Sequence, residues 1–245
     1  DRASLASGNA LFYDLLADGS RRSEDEGLMN APAEAGIRTV GLLGGVGSGK
    51  STAARFLAKI LPGRLIDADA EVGQLLEDLG ISQKIELLLG PGLLLPNDKV
   101  NRTKLGEAVF GDPAMRKKLE NLLHPAVRDA VHQQLNGLEE SHHDWGILDI
   151  PLLMENGLST VCDFLVFVDT PEADRRTRAC ERHGWTSKEW KARELAQTDL
   201  DTKQTAADAI LVNVGSLEDL KSATGDLLPL LRELPPRPWR DRWPQ

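Results

Sequence analysis

The hydrophobic and polar positions fall into short apolar runs separated by longer stretches of helical period. Ile37-Arg38-Thr39-Val40-Gly41-Leu42-Leu43 is an apolar run of the kind that forms a buried strand. A glycine-rich turn follows, and Thr52 to Leu61 has helical spacing, stopped by Pro62-Gly63. Arg64-Leu65-Ile66-Asp67 reads as a second strand, Trp145 to Ile150 as a third, Phe164 to Asp169 as a fourth and Ala209 to Val212 as a fifth. The fourth is apolar nearly throughout, as in parallel strands covered on both faces. Between strands two and three, helical periodicity runs from Ala70 to Leu138. Breaks are predicted at Gly90-Pro91-Gly92, Pro96-Asn97-Asp98, Gly111-Asp112-Pro113 and His124-Pro125.

Helix starts are marked by capping residues. Thr170-Pro171-Glu172 predicts a helix capped by Thr with Pro at its first position. Thr186-Ser187-Lys188-Glu189 has the spacing of a capping box, and Ser216 predicts the start of a last helix running to Leu234. Strands alternating with helices give an open parallel five-stranded α/β sheet flanked by helices. The segment at about 70–140 is too long for one crossover, so it is expected as a helical insertion beside the sheet.

The two ends differ from this pattern. Residues 1–36 are rich in Ala, Ser, Gly, Asp and Glu and begin at Asp1. They are expected to be a disordered extension or tag remnant, with a helical turn at Asn9–Leu16 and Met29 as a natural start. Residues 235–245 carry four prolines, three arginines and two tryptophans and are expected to be extended, packed on the surface or loose.

Charge narrows the partners. The formal net charge is −9, from 29 Lys+Arg against 38 Asp+Glu, which disfavours sequence-independent nucleic-acid binding. An anionic ligand would need its cations gathered locally. The two cysteines, Cys162 and Cys180, form no metal or dithiol motif. No apolar run approaches the ~20 residues that span a bilayer, and the expected location is cytoplasmic. The histidines show no metal-binding spacing: His142-His143-Asp144 reads as a polar loop, and His124 as a packing residue at a helix N-terminus.

Gly44-Gly45-Val46-Gly47-Ser48-Gly49-Lys50-Ser51 fits the phosphate-binding P-loop, GxxxxGK[ST], in its required place between a strand and a helix. The backbone N–H groups of Gly45, Val46, Gly47, Ser48 and Gly49 are expected to curl around nucleotide phosphates. The helix start adds its positive end. Lys50 reaches the β and γ phosphates of ATP, Ser51 ligates Mg²⁺, and Thr52 supports the α-phosphate end. Asp67 and Asp69 follow the second strand, where open α/β sheets bind ligands. They are candidates either for ordering Mg²⁺ and accepting the proton of an attacking hydroxyl, or for simple helix capping. Asp149, at the end of the third strand, is a candidate second Mg²⁺-ordering acid, directly or through water. Arg175, Arg176, Arg178 and Arg182 crowd one helix, where arginines can clamp a transferring phosphoryl group or simply face solvent. Asp149 lacks a following DxxG glycine, and Thr202-Lys203-Gln204-Thr205 lacks the acid that reads guanine, so a Ras-like switch is disfavoured.

Gly41 to Thr52, Ile66-Asp67-Ala68-Asp69, Asn101-Arg102, Leu122-Leu123-His124-Pro125, Ile150-Pro151-Leu152-Leu153-Met154-Glu155, Arg182-His183-Gly184, Gln197, Ala207-Asp208 and Asn213-Val214-Gly215 stand in a telling order. This order is similar to that of the dephospho-coenzyme A kinases, from Ile37 to Leu234. The resemblance implies a P-loop NTPase-type kinase domain at 37–234, with a substrate-binding role for the insertion and a helical lid at about 175–200. It implies transfer of the ATP γ-phosphoryl group to the ribose 3′-hydroxyl of dephospho-coenzyme A. Asp69, with Asp67 beside it, would be the base. Arg102, His124 and Arg128 would face the acceptor, and Arg178 and Arg182 would be lid arginines. Leu43 stands where the family usually has Thr, and Gln204 where it often has Arg. Two other readings of the same residues are another P-loop nucleoside or nucleotide kinase and a nucleotide-binding regulatory protein.

Overall fold

The computed structural model describes residues 36–150 and 152–244; the expectations for 1–35, including the helical turn at Asn9–Leu16, fall outside them. Five strands, β1 (Arg38–Leu43), β2 (Gly63–Asp67), β3 (Trp145–Asp149), β4 (Phe164–Asp169) and β5 (Ala209–Val212), form one parallel sheet in the order β2-β3-β1-β4-β5. Alternation along each strand sends side chains to two cores. Val40, Leu42, Ile147, Val166 and Val168 face one core, completed by Ala53, Ala54 and Leu57 of α1 (Lys50–Ile60). Leu43, Leu148, Ile150 and Phe167 face the other, which is built mainly from the insertion.

That insertion holds α2 (Ala68–Leu75), α3 (Leu79–Leu89), α4 (Arg102–Gly111) and α5 (Pro113–Glu140). The break expected at His124-Pro125 does not occur: α5 continues through Pro125. A proline inside a helix costs about 3 kcal/mol. Leu119, Leu123, Val127, Val131, Leu135 and Leu138 form a buried stripe on both sides of it. Each buried side chain of this size is worth roughly 1.5–3 kcal/mol, so packing outweighs the lost hydrogen bond. His124 is therefore a mid-helix residue, not one at a helix N-terminus.

After β4 come α6 (Glu172–His183), α7 (Ser187–Leu195) and α8 (Leu200–Ala206); after β5 come α9 (Leu217–Gly225) and α10 (Leu228–Arg232). The capping boxes at Thr186/Glu189 and Ser216/Asp219 both form. The last helix is two short ones, not a single run to Leu234. Thr170 does not cap α6; Pro171 holds that position without a side-chain hydrogen bond. The Thr170 hydroxyl instead donates to the carbonyl of Ser48, 2.9 Å away.

The tail folds back onto α5 and the start of β1. Ile37 and Arg237 form an antiparallel bridge, and Trp239 is fully buried. His132 packs edge-on against both Trp239 and Trp243, and Arg240 reaches Glu139 and Asn136. Arg237 and Arg242 both pair with Asp163, at 2.7 and 2.9 Å. No helix of the described residues is long and apolar enough to cross a membrane.

Candidate active site

The sheet order turns around at β1, with β2 and β3 on one side and β4 and β5 on the other. Open α/β sheets bind ligands outside the carboxyl ends of their strands at such a point. The loop 44–49 leaves β1 there, as the sequence requires. Its curvature needs glycine at Gly47 and Gly49, whose φ angles are 85° and 94°. A Cβ on Gly47 would also come within 2.2 Å of the Arg175 carbonyl, and one on Gly49 within 2.6 Å of Asn213 Nδ2. Below the loop, Thr170 Oγ1 and Asn213 Nδ2 both donate to the Ser48 carbonyl, at 2.9 and 2.8 Å, fixing the loop to the ends of β4 and β5.

Lys50, the first residue of α1, folds its ammonium back over the loop. Nζ donates to the carbonyls of Gly44 and Gly45, 2.9 Å each. Ser51 follows and donates its hydroxyl hydrogen bond to Asp149. Thr52 lies in the first turn, its N–H bonded to the Gly49 carbonyl at 3.1 Å.

The acids are brought together by strand register. Asp67 pairs directly with Asp149 across β2 and β3, at the carboxyl ends of both strands. Asp149 is buried, and its pKa is raised first by that burial and then by the Asp67 charge, while Ser51, Lys50 and Arg55 pull it down. Asp67 Oδ1 accepts from the Ala70 N–H at 3.0 Å, so it also caps the first turn of α2. The capping and functional readings of Asp67 are thus compatible. Asp69 is the second residue of α2, two positions beyond Asp67.

Glu71, one turn further along α2, escaped the sequence reading. It accepts from Gln134 Nε2 of α5, and burial, with the Asp67 charge also contributing, raises its pKa. Arg102 reaches α2 as well, donating to the Gly73 carbonyl at 2.9 Å and pairing with Glu77 at 3.3 Å. His124 and Arg128 are four residues apart on α5, on one helix face. Burial, then the nearby Lys117 cation, lowers the His124 pKa and favours the neutral ring. Arg128 Nη2 donates to the Pro244 carbonyl, and its guanidinium carbon lies 6.0 Å from the Trp243 ring centre. The tail therefore packs against the face of α5 that carries Arg128.

Along α6, the structure singles out a residue the sequence did not distinguish. Arg175, not Arg178 or Arg182, is buried against the loop, pairing with Glu194 of α7 and donating Nε to the Thr170 carbonyl at 3.0 Å. Arg178 is half-buried and Arg182 exposed on the same helix. Lys203 of α8 is also buried. Its ammonium donates to Gln197 Oε1 at 2.7 Å and lies 3.3 Å from Glu155, and burial lowers its pKa. The α6 spacing hinted at Arg175, because it shares a face with buried Ala179. Nothing local marked Lys203 or Glu194.

The Ser51 hydroxyl and the Asp149 carboxylate are hard oxygen donors beside the loop, a fit for Mg²⁺, which binds one or two carboxylates together with phosphates and keeps several waters. Among the described residues, no group of three His, Cys, Asp or Glu could hold a metal on its own.

Three comparisons bear on this site. A family model described as dephospho-CoA kinase matches residues 38–219. The dephospho-CoA kinase of Geobacillus kaustophilus is 37% identical over 199 residues, covering 80% of this chain and 96% of that protein. That of Anaeromyxobacter dehalogenans is 36% identical over 198 residues, covering 80% and 93%. A crystal structure from Thermus thermophilus superposes with a TM-score of 0.66 at 33% identity, covering 80% of this chain and 98% of that one. The dephospho-CoA kinase of Campylobacter jejuni gives 0.59 at 25% identity, covering 78% and 95%. The loop, the paired strand-end acids and the arginine-bearing helices thus lie within the matched residues, and the chain belongs to the dephospho-CoA kinase family.

Proposed function

We propose that this chain moves the γ-phosphoryl group of ATP to the ribose 3′-hydroxyl of dephospho-coenzyme A, with Mg²⁺ held by Ser51 and Asp149 beside the loop. The observation that carries the reading is the alignment of Asp67 with Asp149 next to Lys50 and Ser51 at one end of the sheet. The loop N–H groups from Gly45 to Gly49 and Thr52 hold the phosphates, and Lys50 leaves its two carbonyls to follow the transferring group. Mg²⁺ would supply neutralisation of the phosphate oxygens.

Asp67 and Asp69 stand on the acceptor side, where one carboxylate takes the proton of the 3′-hydroxyl as the oxygen attacks phosphorus. Arg102 and His124 bind the acceptor from α4 and α5, with Arg128 at the edge nearest the tail. Arg178 and Arg182 close over the phosphates and exclude water, which limits transfer to solvent. The insertion at about 70–140 would be the acceptor-binding region and the segment at about 175–200 the lid.

The test is ADP release from Mg-ATP with and without dephospho-coenzyme A, with AMP, CMP and pantothenate as rival acceptors. Stimulation by dephospho-coenzyme A alone, with coenzyme A as product, is expected. Stimulation by a rival acceptor would refute the acceptor assignment.

A further inference from the structure

Val46 sits in the middle of the phosphate-binding loop, and both of its backbone polar groups are bound to the lid helix α7. Its N–H donates to Glu194 Oε2 at 2.9 Å, and its carbonyl accepts from Trp190 Nε1 at 3.2 Å. The other carboxylate oxygen of Glu194 pairs with Arg175. That guanidinium lies on Gly45: a Cβ there would meet Nη1 at 2.2 Å. Trp190 is fully buried, with the Arg175 guanidinium 5.5 Å from its ring centre, in a small cluster with Val46 and Ala179. An anion thus already sits on a loop N–H, neutralised by a buried arginine. Carboxylates and phosphate oxygens are accepted by the same donors, a backbone N–H and a guanidinium.

We infer that the Val46 N–H and Arg175 form an anion subsite for a phosphate of the bound nucleotide, and that Glu194 fills it while the nucleotide is absent. Binding then exchanges one anion for another. The nucleotide phosphate takes the Val46 N–H and Arg175, Glu194 swings out, and Trp190 loses its hold on Val46. The acidic side chain keeps the cation and the loop donor satisfied in a site that would otherwise bury them unpaired. The cost is competition with the nucleotide: a site filled most of the time by its own side chain binds more weakly in proportion to the open fraction. Arg175 becomes a phosphate-binding residue, distinct from Arg178 and Arg182.

This inference rests on the nucleotide reading of the loop, and one set of variants separates the two. Binding of the non-hydrolysable analogue adenylyl imidodiphosphate with Mg²⁺ is measured by calorimetry, with melting temperature recorded for each variant. Glu194→Ala is expected to bind the analogue about tenfold more tightly, since the loss of one charge-assisted hydrogen bond to a competitor is worth that much. Glu194→Gln, which keeps the shape without the charge, is expected to bind at an intermediate affinity and serves if the alanine variant is unstable. Arg175→Ala in the Glu194→Ala background is the discriminating case. A loss of about tenfold or more relative to Glu194→Ala means that Arg175 holds the phosphate. Affinity equal to that of Glu194→Ala alone means that Arg175 only neutralises Glu194, which overturns the proposal. So does unchanged or weaker binding in both Glu194 variants. Lys50→Ala reports on the underlying reading alone: if it binds the analogue as well as the parent, the nucleotide does not sit at this loop.

Discussion

The loop proposed to hold the nucleotide and the wall proposed to hold the acceptor are assembled in opposite ways. On the nucleotide side, residues 44–52 are contiguous, and each takes its place because of the ones beside it: glycines set the curl, and the start of α1 sets the direction of Lys50 and Ser51. On the proposed acceptor side, Asp67, Arg102, His124 and Arg128, with Glu71 beside them, come from β2, α2, α4 and α5. They are held by contacts between elements, such as Arg102 to the Gly73 carbonyl and Glu71 to Gln134. A contiguous loop can be inspected as a motif, whereas a dispersed wall depends on how helices pack. Damage should follow the same division, with losses of rate at the loop and the strand-end acids and losses of acceptor affinity or stability among the helices of the wall.

The largest effect is expected at the loop. Lys50→Ala should lower kcat by about a thousandfold, the scale for removing a group that stabilises transition-state charge, with little change in melting temperature. Near-normal turnover would refute the role of Lys50. Next come the strand-end acids: Asp69→Asn and Asp67→Asn are compared for kcat at saturating substrates. The variant that loses about a hundredfold or more identifies the base, and two unchanged values would move the base elsewhere.

The wall is tested through the tail. Trp239→Ala removes a fully buried indole and should cost about 3–5 kcal/mol of stability, seen as a lower denaturant midpoint. Because the same tail holds Arg128, removing residues 235–245 should also raise KM for dephospho-coenzyme A more than KM for ATP. Equal changes in both would mean that the tail is only a structural clasp.

The smallest effect tests the cost of the acid pair. The folded-state pKa of Asp149 is raised, so its charged form costs stability above the unfolded carboxyl pKa, and that cost disappears as pH falls and both states bind the proton. Asp149→Asn should therefore melt a few degrees higher at neutral pH, roughly 2–4 °C per kcal/mol in a chain of this size, with the gap closing toward acid pH. If Asp149 holds Mg²⁺ as proposed, the variant's turnover should fall and its stabilisation by Mg²⁺ should shrink. A lower melting temperature at neutral pH would mean that the Ser51 and Lys50 contacts outweigh burial.

Much of this was legible along the chain. All five strands, the loop and the two capping boxes stand where local pattern places them. Pro125 misled because a proline reports only its own local cost, while the buried stripe of α5 is a property of the packed helix. Thr170 misled because its hydroxyl has a stronger claim on Ser48, a residue 122 positions away. Whether the tail packs or stays loose was left open by the sequence, because nothing near Trp239 in the chain reveals the gap beside His132 that it fills.

The sequence alone determined the order of strands and helices, the curl of the loop and the identities of Lys50, Ser51 and the strand-end acids, because periodicity, glycine and capping act over a few residues. Tertiary structure alone decided that Asp67 and Asp149 are neighbours, that Arg175 is the arginine buried on the loop, that Glu194 takes the Val46 N–H, and that the tail closes over α5. Those outcomes depend on strand register and on burial, which set charges and apolar surfaces against partners far away in the chain.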